Sequence, residues 1–405
     1  MSAPPQQELS AHLLHLARSR HAPFLDDLRE LVSIDSGSYD ADGVNRVADW
    51  VQQRLRRTGF TVERVTLPTS QGHRAGDALV ARKKGTLSTS DGGRRILLAG
   101  HMDTVFEQGT AAARPFRLHG SIAHGPGVSD DKGGLLAGLT ALEILDEHGV
   151  TAYDELIFLA TPDEEIGSPA SRPLIETTAR GAHYGLGLEC ARENGDLVIG
   201  RKGVADFKIT VTGRAAHAGI EPERGANAAL AAAHLIVDLQ ALNGRWDDVT
   251  VNVGTVRAGS RTNIVCPEAE LRLEVRAATT ADVERVRRAI REAAHHPAVT
   301  GTSITVEQLD LCPPMEVTGA SRHMLELARK AALPLGLDLD AVRTGGVGDA
   351  NLIAGTGVPT LDGLGPVGGS DHTPEEWLDT TSVPHRIAVL AALITALGSA
   401  GNTAT

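Results

Sequence analysis

Aromatic side chains are scarce in this chain of 405 residues, which has three Trp, three Tyr and six Phe. A core drawn from its 41% hydrophobic residues must therefore rest on Leu, Val, Ile and Ala. Cysteine is scarcer still. Cys190, Cys266 and Cys312 are too few and too scattered for a disulfide framework or a thiolate metal site. No nucleophile pattern surrounds Cys190, so it reads as a small buried apolar residue. No basic tract offsets the net charge of -12, which speaks against a nucleic-acid or anionic-membrane partner. No apolar run is long enough to span a bilayer, and the first residues lack a basic segment followed by an apolar one. The expectation is a cytoplasmic protein without a signal peptide, long enough for two or three domains.

What the chain does have is a spaced set of imidazoles and carboxylates, each at or near the end of an apolar run. The stretches are Gly-His-Met-Asp-Thr-Val (100–105), Gly-Pro-Gly-Val-Ser-Asp-Asp-Lys-Gly-Gly (125–134) and Thr-Pro-Asp-Glu-Glu-Ile-Gly-Ser (161–168). Gly-Leu-Glu-Cys (187–190) and Gly-Ser-Asp-His-Thr-Pro-Glu-Glu-Trp (369–377) complete it. Nitrogen and oxygen donors without thiolate suit zinc, and the carboxylates also suit manganese or cobalt. Two neighbouring metals need about five ligands, one of them shared, and a free carboxylate to move protons. His101, Asp130, Glu164, Glu165, Glu189 and His372 supply that inventory, and a two-metal hydrolase is expected.

The arrangement along the chain gives the fold class. Residues 9–33 and 41–58 carry helical spacing, and the polar tract 83–93 reads as an exposed loop between strands. Continuously apolar runs at 94–101, 155–161 and 184–188 alternate with helices, and each leads to a candidate ligand. That pattern predicts a mostly parallel sheet flanked by helices, with ligands at the carboxyl ends of its strands. After about residue 202 the rhythm changes to strand 204–212, helix 226–242, strands 249–256 and 269–276, helix 280–294 and strand 303–309. This β-α-β-β-α-β order is a ferredoxin-like α+β unit without candidate ligands. The expected architecture is a catalytic domain in two parts, 1–201 and 313–405, interrupted by an inserted domain at 202–312.

Several assignments stay open on spacing alone. Asp103, two residues beyond His101, can accept a hydrogen bond from the second nitrogen of a ligating imidazole. Either Asp130 or Asp131 can bridge two metals, although an Asp before a helix is also an ordinary N-cap. Glu164 and Glu165, read as extended, point to opposite sides, so one can bind metal while the other reaches the attacking water.

Taken together, the first three motifs resemble the zinc exopeptidase family of aminoacylase-1, acetylornithine deacetylase and succinyl-diaminopimelate desuccinylase. The carboxypeptidase G (glutamate carboxypeptidase) branch is the most similar, from about residue 20 to 398. The resemblance implies two zinc ions per subunit, one held by His101, Asp130 and Glu189, the other by Asp130, Glu165 and His372. It further implies Glu164 as general base, Asp103 as support for His101, and a cis peptide between Asp130 and Asp131. A Glu at 189 accompanies carboxypeptidases and deacylases in that family, whereas an Asp accompanies aminopeptidases. The inserted domain resembles a dimerisation or lid domain. There His217 matches a histidine that reaches the neighbouring subunit's active site and helps hold the reacting carbonyl oxygen, and Asn263 and Arg276 match residues that grip a substrate carboxylate. Gly346 lies in a Gly-rich segment resembling one that lines the cleft. A homodimer through 202–312 acting on a small peptidyl or N-acyl amino acid follows from the resemblance. Its alternatives are an N-acyl-amino-acid deacylase and a non-catalytic amino-acid-binding relative. Leu197 and Cys312 stand where a glutamate-selective pocket would carry basic groups, which argues against strict glutamate or folate specificity.

Overall fold

The computed structural model describes residues 6–70 and 72–399. They form two compact units. One comprises the described residues up to Ile199 with Val317–Arg343 and the chain from Gly348; the other comprises Gly200–Glu316 with Thr344–Val347.

The first unit is built on a six-stranded sheet in the order Thr61–Val65, Ala78–Lys84, Glu155–Thr161, Arg95–His101, Tyr184–Gly187, Thr360–Leu361. The last four strands run parallel and the first two are antiparallel. All seven residues of Glu155–Thr161 are buried, as a central strand covered on both faces requires. The helix Val383–Leu397 is buried around nearly its whole circumference and packs on Lys132–Glu147 and Gly319–Ala332. It is a core helix; among the described residues no helix is long and apolar enough to cross a membrane.

Residues 9–33 are not one helix. Gln6–Ser19 and His21–Val32 are separate, because Pro23 offers no backbone N–H and its ring would clash with the carbonyl of Ser19. A small antiparallel sheet joins Arg117–His119 and Ile122–His124 to Trp377–Asp379 and Gly368–Gly369. It fixes the segment that carries His372 beside the one that leads into residues 125–131.

The second unit is a four-stranded antiparallel sheet in the order Thr250–Ala258, Glu268–Ala277, Gly203–Thr212, Ser303–Cys312. Alternate residues of the two inner strands are buried, pairing Leu271 with Ile209 and Leu273 with Phe207. Leu235 and Leu239 of helix Ala228–Gln240 and Val286 and Ile290 of helix Thr280–His295 complete that core.

Candidate metal centre

Every candidate ligand lies in the first unit, at the carboxyl ends of its strands or in the turns that follow. His101 ends the strand Arg95–His101, and Glu164 and Glu165 follow Glu155–Thr161. Glu189 lies two residues beyond Tyr184–Gly187. Asp130 and Asp131 are joined by a cis peptide at the N-terminus of helix Lys132–Glu147. That helix opens with glycines for a steric reason. A Cβ on Gly134 would lie 1.9 Å from the Leu188 carbonyl oxygen, so only glycine lets the chain leading to Glu189 lie against the helix start.

Two imidazoles meet on one carboxylate. Nε2 of His101 is 2.9 Å from Asp130 Oδ1 and 3.6 Å from Glu189 Oε1. Nε2 of His372 is 3.2 Å from Asp130 Oδ2 and 2.9 Å from Glu165 Oε2. Each oxygen of Asp130 thus faces a different imidazole. Such separations are those of neighbouring donors on one ion with bonds of about 2.0–2.2 Å. The donor set fits two divalent cations sharing Asp130. One would be held with His101 and Glu189, the other with His372 and Glu165. Asp131, by contrast, is fully buried, and its Oδ2 accepts from the backbone N–H of His101.

The supporting contacts explain the geometry. Nδ1 of His101 lies 3.0 Å from the backbone carbonyl oxygen of Asp103 and 3.3 Å from its Oδ1. A carbonyl only accepts, so the proton sits on Nδ1 and Nε2 faces Asp130 and Glu189. The Asp103 carboxylate accepts from the backbone N–H groups of Glu164 and Glu165 and from the Ser38 hydroxyl. Contrary to the extended reading, Glu164–Ile166 forms a single 3-10 turn, closed by Gly167 in the left-handed conformation. The two carboxylates still diverge. Glu165 faces His372, while Glu164 groups with His101 and Glu189 within 4.8 Å. A Cβ on Gly348 would come 3.1 Å from Glu164 Oε1, so glycine keeps that space clear.

Charge is the dominant property of this cluster. Burial first, and then mutual repulsion, pushes the Glu164, Glu189 and Asp131 carboxyls well above their usual range and Glu165 upward. Burial works against His101, but hydrogen bonds to Asp103 and Asp130 hold its imidazole well above the usual value. Hydrogen bonds to Asp130 and Glu165 take His372 to about 11. So much negative charge in a buried place calls for bound positive charge. Burial and adjacent carboxylates raise the Cys190 thiol well above its usual value, which leaves it protonated and unsuited to act as a nucleophile.

The sequence reading gave no role to three residues that shape the site. Glu376, almost fully buried, accepts from the backbone N–H groups of Gly127, Ser129 and Asp130 and so sets the loop that presents Asp130. Asp349 accepts from the hydroxyls of Thr161 and Ser168 behind Glu164, and burial pushes its carboxyl up to about 6. Ser38 steadies Asp103. The Glu-Glu-Trp end of the last motif held Glu376 in view, but only as part of the motif.

The remaining candidates belong to the second unit. His217 and Asn263 are exposed and lie on adjoining segments, with His217 bridged to Ile264 and the Ala218 N–H donating to the Asn263 carbonyl. Arg276 is already engaged. Its Nε and Nη2 donate to the Glu274 carboxylate at 2.7 and 3.0 Å, and its Nη1 to the carbonyl of Gly345, next to exposed Gly346.

Comparison with known proteins agrees with this picture. Residues 97–396 match the model of peptidase family M20/M25/M40. Carboxypeptidase G2 of Pseudomonas sp. (strain RS-16) is 32% identical over 393 residues, spanning 96% of this chain and 92% of that protein. The crystal structure of aminopeptidase PepT from Bacillus cereus ATCC 10987 is similar with a TM-score of 0.75 at 25% identity, over 93% of this chain and 98% of that one. The fold is also that of Bacillus subtilis YXEP, a dinuclear metal-binding peptidase of the M20 family. That likeness has a TM-score of 0.70 at 17% identity and covers 94% of this chain and 99% of the other.

Proposed function

Because the chain belongs to peptidase family M20/M25/M40 and is a metal-dependent, carboxypeptidase-like hydrolase, we propose that it cleaves the amide bond joining an acyl or peptidyl group to an amino acid with a free α-carboxylate. One observation carries this reading: two imidazoles approach opposite oxygens of the half-buried Asp130, and a free carboxylate, Glu164, lies beside them. The N-acyl-amino-acid deacylase reading uses the same centre and differs only in what lies on the acyl side. A non-catalytic relative would have lost a ligand or the base, and here each position is filled.

When bound, two divalent cations, zinc or else manganese or cobalt, would polarise the scissile carbonyl and acidify the attacking water. Asp130 would be the shared ligand, and His101, Glu165, Glu189 and His372 would complete the set. Glu164 removes the proton from the attacking water and later delivers it to the departing amine. Asp103 fixes the His101 tautomer and, through two backbone N–H groups, the position of Glu164 itself.

In the second unit, Arg276 and Asn263 bind the substrate's free carboxylate near Gly346, and His217 reaches the neighbouring subunit's site to assist at the reacting carbonyl. The substrate carboxylate takes the place that Glu274 occupies on the Arg276 guanidinium. The chain acts as a homodimer through this unit. In support, the edge strand Thr250–Ala258 and Leu230 and Val237 of helix Ala228–Gln240 are exposed.

The test is amine release by the zinc-loaded protein from N-acetyl, N-benzoyl and dipeptidyl amino acids, each against its carboxamide. Release that requires the free carboxylate is the expected result. Equal cleavage of the carboxamides would remove the carboxylate requirement, and no release from any member with two zinc ions bound would remove the hydrolase reading.

A further inference from the structure

Beside the metal centre, wholly within the first unit, lies a cleft with a volume of about 450 Å³, in the range that holds a small organic group. Its walls are residues 37–40 and 104–108, and Glu165 and Ile166 line it from the turn that carries the candidate base. The walls are laced together. Gly37 and Thr104 form a parallel bridge, and the Asp35 carboxylate accepts from the N–H groups of Gly109 and Ala111 at 2.8 Å. A Cβ on Gly37 would stand 2.5 Å from the Phe106 carbonyl oxygen, so the two walls touch only because that residue is glycine. This is a preformed cleft, and Glu165 belongs both to it and to the ligand set.

Its chemistry is one-sided. Tyr39, 63% exposed and tilted against the His73 ring at 4.6 Å between centroids, stands with Val105, 39% exposed, Phe106 and Ile166 as the apolar lining. Among the described residues the charged ones in the lining are Asp40, Glu107 and Glu165, none of them basic; the metal that Glu165 helps hold would take up its charge, so Asp40 and Glu107 make the cleft negative. The substrate's free carboxylate is therefore the part this cleft repels, while an apolar or aromatic group gains by burying surface there. With the scissile carbonyl at the metal centre, the amino-acid side carries that carboxylate and the acyl side is what remains. We propose that this cleft is the acyl-group subsite, and that it selects uncharged apolar or aromatic acyl groups over acyl groups bearing a carboxylate.

The inference rests on the hydrolase reading above, and the experiment separates the two. Values of kcat/KM are measured for the N-benzoyl, N-acetyl and N-succinyl derivatives of one amino acid. The wild type should prefer benzoyl to acetyl and acetyl to succinyl. Tyr39→Ala and Val105→Asp should each lower the benzoyl-to-acetyl ratio, on the order of tenfold. Glu107→Lys should raise succinyl relative to acetyl severalfold at low ionic strength. All three variants keeping the wild-type ratios would overturn the subsite while leaving the hydrolase reading intact. If no amine is released from any derivative, that reading falls instead, and calorimetric titration with the benzoyl amino acid decides the subsite. Weaker binding to Tyr39→Ala than to wild type would support it, and equal binding would overturn it.

Discussion

Glu164 occupies a position where a single atom type matters. Glu164→Gln keeps the size and the hydrogen-bonding reach but cannot take a proton, so both metals should remain bound while kcat falls about 10²–10⁴-fold. Metal content by atomic absorption beside steady-state rates checks this, and retained turnover would end the assignment of Glu164 as base. Ser38→Ala removes one hydrogen bond from Asp103 and touches no ligand. It should cost roughly 10-fold to 100-fold in metal affinity or activity, as loss of a partner behind a ligand does, with a near-normal melting temperature. Glu164 and the candidate ligands stood out in the chain because their residue types and strand-end positions mark them as candidates. Ser38 and Glu376 did not. Each acts on a backbone or side chain far away in sequence, and nothing next to a lone Ser or Glu records such a partner.

At the level of elements, the N-terminus of helix Lys132–Glu147 is the most constrained. Gly134→Ala would gain about 1 kcal/mol of helix propensity, but the new methyl would collide with the backbone carbonyl of Leu188, which cannot swing aside. Overpacking of this kind costs typically 1–3 kcal/mol, and displacing residues 188–189 also moves the proposed ligand Glu189. The variant should melt below the wild type and hold less metal, measured by calorimetry and metal analysis; an unchanged melting curve would contradict the close contact. Continuous apolar runs made the central strands readable, and strict alternation made the second unit readable, since each pattern reports how many faces are covered. The 3-10 turn at Glu164–Ile166 escaped that reading. It depends on Asp103 capping it across the sheet and on Gly167 closing it, neither of which is a periodicity. Pro23, by contrast, carried its own signal for the break between the first two helices.

For the whole molecule, removing the metals should abolish activity and also lower the melting temperature, because several buried carboxylates would lose their counter-charge. Dialysis against a chelator followed by zinc, manganese or cobalt should restore both; recovery of activity without any thermal shift would mean the cluster is stable without metal. Val237→Glu should yield monomers in sedimentation if the exposed stripe of helix Ala228–Gln240 is the dimer surface. The centre also divides along the chain. His101, Asp130, Glu164, Glu165 and Glu189 precede the second unit, whereas His372 and Glu376 follow it. A ribosome that has released everything through residue 360 has therefore made an entire ferredoxin-like unit and most of the sheet, yet no second imidazole and no carboxylate to set the Asp130 loop. With His372 proposed as a ligand, amide cleavage has to wait until the second unit and the return segment that carries this imidazole have both been made.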